Sequence, residues 1–162
     1  MQTEEDSQRW MSGILPCFAI DGQNKAAFVV LQVSQDPQSP STAVGILTLL
    51  PLNMSALPVG CSTSHAATVM ELGYIFHPEG WGKGYATESC SALLARYKEE
   101  QLTKTLAEKL DVRATAHLEN RASLRVLQKL GFIQIACFQA SKAPPLRPDI
   151  ENTGAAHYQW VS

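Results

Sequence analysis

Apolar and polar positions alternate most regularly in the segment that ends at Phe76. Every second residue from Met70 to Phe76 is apolar, whereas Glu71 faces the other way. This period of two predicts a β-strand with one apolar face. Pro78 has no N–H for a strand ladder and ends the strand. A glycine-spaced turn follows at residues 80–84, and an apolar stripe at helical spacing predicts a helix from Tyr85.

The remaining pattern predicts one domain over residues 1–162, with strands and helices in alternation and no linker between two cores. This order predicts an α/β or α+β fold with a mixed sheet. The segments Pro51–Ala67 and Ala140–Ala156 are rich in proline or small residues and are predicted to be irregular. The other predicted elements are helices over Thr3–Leu15 and Arg121–Leu130 and strands over Cys17–Ile20, Ala26–Val33, Ala43–Leu50, Leu110–Leu118, Ile133–Gln139 and His157–Val161.

The predicted strand from Leu110 to Leu118 alternates apolar residues with Asp111, Arg113, Thr115 and His117. Such alternation predicts one buried face and one wetter face. The polar side chains are therefore expected on the solvent side of the sheet.

Composition excludes several classes of function. The 162 residues are 45% apolar and 17% charged, as in soluble globular domains, and the net charge of −2 gives no pull toward nucleic acid or anionic membrane. The acidic start is unlike a signal peptide, and no apolar run is long enough to span a bilayer. The four cysteines and four histidines lack metal-ligand spacing, which predicts no metal site and free thiols in the cytoplasm.

The turn Gly80-Trp81-Gly82-Lys83-Gly84 has the properties of a pyrophosphate cradle. Glycines allow close backbone approach and positive φ, and the free N–H groups of the following helical turn attract an anion. The spacing is neither GxxxxGK[ST] nor GxGxxG, so the common nucleotide motifs are unsupported. A domain that binds some other phosphorylated ligand remains an alternative.

A second motif covers Glu119 to Phe132, with the sequence ENRASLRVLQKLGF. Asn120 is suited to cap the helix, the leucines form its inner face, and Gly131 is suited to the position after its end. Each of these features alone is more often part of the scaffold than of a site.

Taken together, the two motifs resemble the GNAT N-acetyltransferase superfamily, in the branch that includes the ribosomal-protein N-terminal acetyltransferases. The resemblance implies a mixed, mostly antiparallel sheet with a splayed central parallel strand pair, flanked by helices. It also implies that the family's usual first strand and helix are absent upstream of Thr3, which would leave a bare sheet edge and favour a homodimer.

The resemblance also assigns roles to particular residues. Glu71 is expected to be the general base. Leu127 stands where many members carry the tyrosine that protonates the departing thiolate. Ser123, near the sulfur, is therefore expected to be the acid, with another hydroxyl or a water as alternatives. The expected cofactor-binding residues are the backbone of Ile75 and Phe76, the amides of Trp81, Gly82, Lys83, Gly84, Tyr85 and Ala86, and the side chains of Asn120 and Ser123.

The implied function is direct acetyl transfer from acetyl-CoA to the primary amine of a peptide N-terminus or a small molecule. The alternative is a truncated, non-catalytic module that binds CoA or a partner. The absence of the family's usual first strand and helix, and of the tyrosine at the position of Leu127, favours this alternative.

Overall fold

The structure is a computed structural model that describes residues 26–34, 36, 38–52, 68–102, 110–139 and 154–161. The predicted helix Thr3–Leu15 and strand Cys17–Ile20 lie outside these residues. Six strands and two helices are present in the described part. They are β1 (Ala26–Gln32), β2 (Thr42–Pro51), β3 (Thr68–Phe76), α1 (Tyr85–Leu102), β4 (Leu110–His117), α2 (Arg121–Lys129), β5 (Phe132–Gln139) and β6 (Gly154–Trp160), with a 3-10 turn at Pro78–Gly80.

The six strands form a single mixed sheet in the order β1-β2-β3-β4-β6-β5. All neighbours are antiparallel except β3 and β4, which run parallel at the centre of the sheet. The predicted mixed, mostly antiparallel fold with a central parallel pair is therefore confirmed.

One face of the sheet packs against both helices and forms the hydrophobic core. Apolar side chains from β2, β3, β4, β5 and β6 join Cys90 and Leu94 of α1 and Leu127 of α2 in one buried cluster. Met70 and Leu72 come from β3, as the alternating pattern predicted. The opposite face of the two central strands carries the polar positions, beginning with Glu71.

The expectation of a wetter face on β4 is wrong for Asp111 and Arg113, whereas Thr115 is exposed and His117 half-buried. Asp111 and Arg113 are 5% and 1% exposed, as deeply buried as the apolar residues that alternate with them. The Arg113 guanidinium donates to both carboxylate oxygens of Asp111, with Nε–Oδ1 at 2.8 Å and Nη2–Oδ2 at 2.5 Å. Gln159 of β6 donates to Oδ2 of the same carboxylate at 3.3 Å. A central strand covered on both sides can bury charges because they pair with each other.

The last strand begins earlier than the sequence pattern indicated. Residues 154–156 were assigned to the irregular segment Ala140–Ala156, but β6 begins at Gly154. Ala155 and Ala156 are buried and lie between partners on β4 and β5. Glycine and alanine have low strand propensity, so only the pairing on both sides reveals this part of the strand.

We predict that Arg113→Met destabilises the protein by about 3 to 5 kcal/mol, because the buried Asp111 carboxylate would lose its charged partner. Urea denaturation measures this difference in the free energy of unfolding.

The control is Arg96→Met on α1, where the pair with Glu99 is 3.9 Å long and both side chains are about 70% exposed (70% and 72%). This change should cost less than about 1 kcal/mol. Equal losses in the two variants would contradict the stabilising role of the buried pair.

Candidate active site

The parallel pairing between β3 and β4 stops partway along both strands. Four residue pairs are in register, and the last of them joins Glu71 to Arg113. Beyond that pair, β3 continues to Phe76 and β4 to His117 with no further pairing between them. We call the point of divergence, just beyond Glu71 and Arg113, the fork. The expected splay of the central strands lies there.

Both strands remain held on their outer edges beyond the fork. β3 pairs with β2 as far as Phe76, opposite Gly45, and β4 pairs with β6 as far as His117, opposite Ala155. The inner edges therefore present backbone N–H and C=O groups toward the gap, where an extended ligand can pair with them. Phe76, expected to contact the pantetheine arm, directs its backbone groups to this open edge. Those of Ile75, the other expected residue, are directed to Ile46 of β2, because the register and the bond from the His77 amide to the Val44 carbonyl make Ile75 a hydrogen-bonded position of that pair.

The glycine turn leads directly from β3 into α1. Gly82 and Gly84 have φ values of 74° and 87°, and a Cβ at either position would meet nothing within 4 Å. Backbone conformation, not lack of space, therefore requires glycine at both positions. The amide of Glu88 donates to the Gly84 carbonyl at 3.0 Å. The amides of Tyr85 and Ala86 precede this first helical bond, so they are free to bind an anion.

Trp81 crosses from the turn back to the end of β3. Its indole Nε1 donates to the Phe76 carbonyl at 2.9 Å, and the side chain is 69% exposed. The contact ties the glycine turn to the strand that precedes it. One of the carbonyls expected to pair with the pantetheine arm thus already has a donor.

The N-terminus of α2 contacts β3 beyond the fork. Asn120 caps the helix as predicted, because its Oδ1 accepts the Ser123 amide at 3.1 Å. Tyr74 donates from its hydroxyl to the Ser123 carbonyl at 3.2 Å. Burial raises the pKa of Tyr74 to about 12, so this hydroxyl stays protonated. Sequence reasoning placed Tyr74 only on the apolar face of β3 and missed this polar contact.

Glu71 is half-buried at the fork on the sheet face opposite the helices. Burial raises the pKa of its carboxyl above the ordinary value of 4.5, and a hydrogen bond with the Thr115 side chain acts in the opposite direction. A carboxylate with a raised pKa is suited to accept a proton near neutral pH.

Two further residues of this face were not among the predicted site residues. Thr115 lies on β4 opposite His157 of β6, and its Oγ1 is 3.1 Å from Nδ1 of the imidazole. His157 is 1% exposed. Thr115 belongs to the alternating polar positions that the sequence did reveal, but nothing in the local pattern connects it with a histidine 42 residues later.

Leu127, at the position where the resemblance implied a tyrosine, is 1% exposed and part of the hydrophobic core. Its side chain cannot supply a proton. Ser123 lies one helical turn earlier and is half-buried.

A groove of about 370 Å³ lies on another side of α2, against β5 and β6. It is lined by Arg121, Leu124, Arg125, Gln128, Phe132 and Tyr158. Neither Glu71 nor the glycine turn contributes to it, so this groove is separate from the fork. Among the described residues, no cluster of three or more His, Cys, Asp or Glu side chains could hold a metal ion. The described helices also include none with the length and apolarity needed to cross a membrane.

Comparison with known proteins agrees with the fold and the motifs. Residues 1–133 match the family model described as an acetyltransferase (GNAT) domain. The chain belongs to the GNAT acetyltransferase family. This match covers both the glycine turn and α2.

Individual relatives are more distant. The uncharacterized protein YkkB of Bacillus subtilis (strain 168) is 39% identical over 64 residues, which are 40% of this chain. Those residues span about a third (34%) of the length of that curated relative.

Solved structures share the GNAT fold at low identity. An acetyltransferase (GNAT family) from Bacillus anthracis has a TM-score of 0.62 at 21% identity, over 99% of this chain and 76% of that one. The ribosomal-protein-S5-alanine acetyltransferase from Vibrio fischeri has a TM-score of 0.51 at 16% identity, over 74% of this chain and 54% of that one. The ribosomal-protein branch is therefore one of several structural neighbours of this GNAT domain.

We predict that Glu71→Gln stabilises this GNAT domain at neutral pH. Because the folded-state pKa of Glu71 is raised above 4.5, the folded chain retains the proton more strongly than the unfolded chain. The wild type therefore loses stability as the pH rises above 4.5 and through the raised pKa, whereas glutamine stays neutral.

Urea denaturation at a series of pH values tests this prediction. The two proteins should be similar below pH 4.5 and diverge above it, in favour of the variant. Glu79→Gln on the exposed 3-10 turn is the control for removal of a carboxylate. A constant difference across the pH series would show that burial does not govern the Glu71 carboxyl.

Proposed function

We propose that this chain is an acetyl-CoA-dependent N-acetyltransferase that moves the acetyl group directly to a primary amine. One observation carries the proposal. The fork opens at a half-buried carboxylate, Glu71, and the same strand leads into a glycine turn and the free amides of α1. Within a GNAT domain, this order supplies an open strand edge, a proton acceptor and an anion site in one continuous segment.

In this proposal, the cofactor follows the chain from the fork to α1. The pantetheine arm pairs with the open backbone N–H of Phe76, and Asn120 and Ser123 approach it from α2. The pyrophosphate meets the amides of the turn and the first helical turn, where the helix dipole favours negative charge. These amides belong to Trp81, Gly82, Lys83, Gly84, Tyr85 and Ala86.

The proposed chemistry begins with a proton. Glu71 accepts it from the acceptor ammonium, and the free amine attacks the thioester carbonyl carbon. A backbone N–H near Ile75 or Phe76 stabilises the oxyanion that develops. The nitrogen then loses its second proton to solvent and the carbon–sulfur bond breaks. The Ser123 hydroxyl protonates the CoA thiolate, solvent returns a proton to Ser123, and Glu71 releases its proton to solvent. The product is an amide, and the amine nitrogen forms its new bond without an acyl-enzyme.

The acceptor belongs to the class of primary amines, either a peptide N-terminus or a small molecule. A half-buried carboxylate at the fork favours an acceptor that enters as a cationic amine and leaves as a neutral amide. The peptide N-terminus is included as an acceptor because a ribosomal-protein-S5-alanine acetyltransferase is among the structural neighbours.

The second candidate is a CoA-binding module without catalysis. The observation that favours it is Leu127, which is buried in the core where a thiolate acid is common in the family. This module would keep the glycine turn in use but would not need Glu71. Turnover separates the two functions.

The proposal also includes a homodimer and a cytoplasmic location. In the described sheet, β1 is an edge strand whose Phe28, Val29 and Leu31 are 48%, 60% and 53% exposed, which supports a homodimer formed along this edge. Cys90 and Cys137 are free thiols, which supports the reducing cytoplasm as the location.

We predict that acetyl-CoA raises the thermal midpoint of unfolding. At about one hundred times its dissociation constant, a ligand adds roughly 2.7 kcal/mol, or roughly 5 to 10 °C for a domain of this size. Differential scanning fluorimetry with ATP and NAD as controls measures the shift. Equal shifts with all three ligands would indicate a general phosphate site, and no shift with acetyl-CoA would contradict the proposed cradle.

We predict that Glu71→Gln lowers kcat/KM by roughly 10² to 10⁴, because the amine would lose its proton acceptor. Thiol release from acetyl-CoA with a panel of amines measures the rate, and calorimetry checks that CoA affinity is retained. Glu79→Gln is the matched control. Thiol release at the wild-type rate in Glu71→Gln would remove Glu71 from the mechanism, and no release with any amine would favour the module without catalysis.

A further inference from the structure

Thr115 and His157 occupy the first row of the sheet beyond the fork. Glu71 and Arg113 form the last paired row of β3 and β4, and Thr115 is the next residue of β4 on the same face. Its partner His157 lies on the next strand, β6, and is buried, whereas Thr115 is exposed toward the open side. A polar connection thus runs from the mouth of the fork into the interior.

The Thr115 hydroxyl has two polar neighbours. Its Oγ1 lies 3.1 Å from Nδ1 of His157, and its hydrogen bonding to Glu71 lowers the pKa of that carboxyl against the larger effect of burial. An ionised carboxylate can only accept, so the hydroxyl donates its one hydrogen to Glu71. The Thr115 oxygen is then an acceptor for an N–H at Nδ1 of His157.

The second ring nitrogen supports the same tautomer. Nε2 of His157 is buried and has no hydrogen-bond partner among the described residues. A neutral imidazole carries one N–H, and a buried N–H without an acceptor is costly. Placing the hydrogen at Nδ1, where Thr115 accepts it, avoids that cost. Burial, reinforced by the positive charge of Arg113 and opposed by Asp111, lowers the pKa of His157 and keeps the ring neutral.

Few other charged groups face this connection from the described strands. From β2, Leu50 and Thr48 lie opposite Glu71 and Gly73 and do not titrate, and from β5 Ala136 lies opposite His157. The charged or titratable groups on this face are Glu71 of β3, Asp111, Arg113 and His117 of β4, and His157 of β6. Arg113 is bound to Asp111, and His117 accepts the Glu119 amide at 3.1 Å, so neither replaces Thr115 beside the Glu71 carboxylate.

We infer that Thr115 and His157 are positioning residues that orient the Glu71 carboxylate toward the fork and hold it in its proton-accepting form. The direction of the hydrogen bonds is from His157 Nδ1–H to Thr115 and from the Thr115 hydroxyl to Glu71. The buried imidazole therefore polarises the Thr115 hydroxyl, which in turn donates to Glu71. His157 itself does not touch the substrate. This inference rests on the proposed function, in which Glu71 is the general base.

The first test compares Thr115→Val with Thr115→Ser. Valine has nearly the same shape but lacks the hydroxyl, whereas serine keeps it. Loss of the hydrogen bond should move the acid limb of the pH profile of kcat/KM upward by about half to one pH unit in Thr115→Val. Thr115→Ser should restore the limb to the wild-type position. The amine is the same in all measurements, so its own titration cancels.

The second test asks whether His157 acts on Glu71 through Thr115. His157→Leu should also move the acid limb upward, whereas His157→Asn, which retains a donor near the Nδ1 position, should move it less. In the Thr115→Val background, His157→Leu should cause no further shift, because its route to Glu71 is already absent. Equal shifts by His157→Leu in both backgrounds would overturn the connection through Thr115.

A readout without turnover separates this inference from the proposed function. Carbon-13 NMR of the side-chain carboxyls, with the Glu71 signal assigned by its loss in Glu71→Gln, follows the titration of that group directly. An upward shift of the Glu71 pKa in Thr115→Val, with its restoration in Thr115→Ser, supports the hydrogen-bond connection even if no amine is acetylated. An unchanged Glu71 titration in Thr115→Val overturns the inference whether or not the enzyme is active.

Discussion

The divergence of β3 and β4 after four residue pairs is the constraint on which the rest of the site depends. A fully paired parallel sheet would close the gap and leave no backbone groups for a ligand. The divergence is possible because each strand keeps an antiparallel neighbour on its outer side, β2 for β3 and β6 for β4. Unpaired inner edges are costly when buried, so an open gap suits a ligand that can pair with them.

The base of the fork is stabilised by charge. Asp111 and Arg113 bury a bidentate ion pair at the end of the parallel ladder, and Gln159 links that pair to β6. Arg113 is also the residue opposite Glu71. Asp111 binds Nε and Nη2 of this guanidinium, whereas Nη1 is buried without a hydrogen-bond partner among the described residues. The pKa of the Glu71 carboxyl is governed first by burial. The same burial lowers the free energy of unfolding at neutral pH, where the carboxyl of the unfolded chain is ionised.

On the helical side of the fork, one residue of α2 departs from the family pattern, and a contact from β3 holds the start of this helix. Leu127 completes the core where a tyrosine is common in relatives, and Tyr74 on β3 instead donates across to the Ser123 carbonyl. This bond ties the start of α2 to the open half of β3. The proposed acid, Ser123, is thereby held near the strand on which we place the pantetheine arm.

Local features of the sequence determined much of the scaffold. The period of two in β3, the two glycines at positive φ and the Asn120 cap were all predictable, because each depends on a residue and its near neighbours in the chain. The motifs around them were enough to indicate the GNAT family. The bounds of β1 and β2 and the start of α1 also followed from local pattern to within a residue or two.

Which polar residues of the central sheet are buried, and which of them contact each other, depends on how the strands pack. The alternation in β4 assigned Asp111 and Arg113 to a wetter face, because a period of two cannot report that both faces are covered. The contact between Thr115 and His157 depends on the register of β4 against β6, across 42 residues of chain. The start of β6 at Gly154 depends on the same pairing. Register is set by the packing of whole strands, so the sequence around any one of these residues does not contain it.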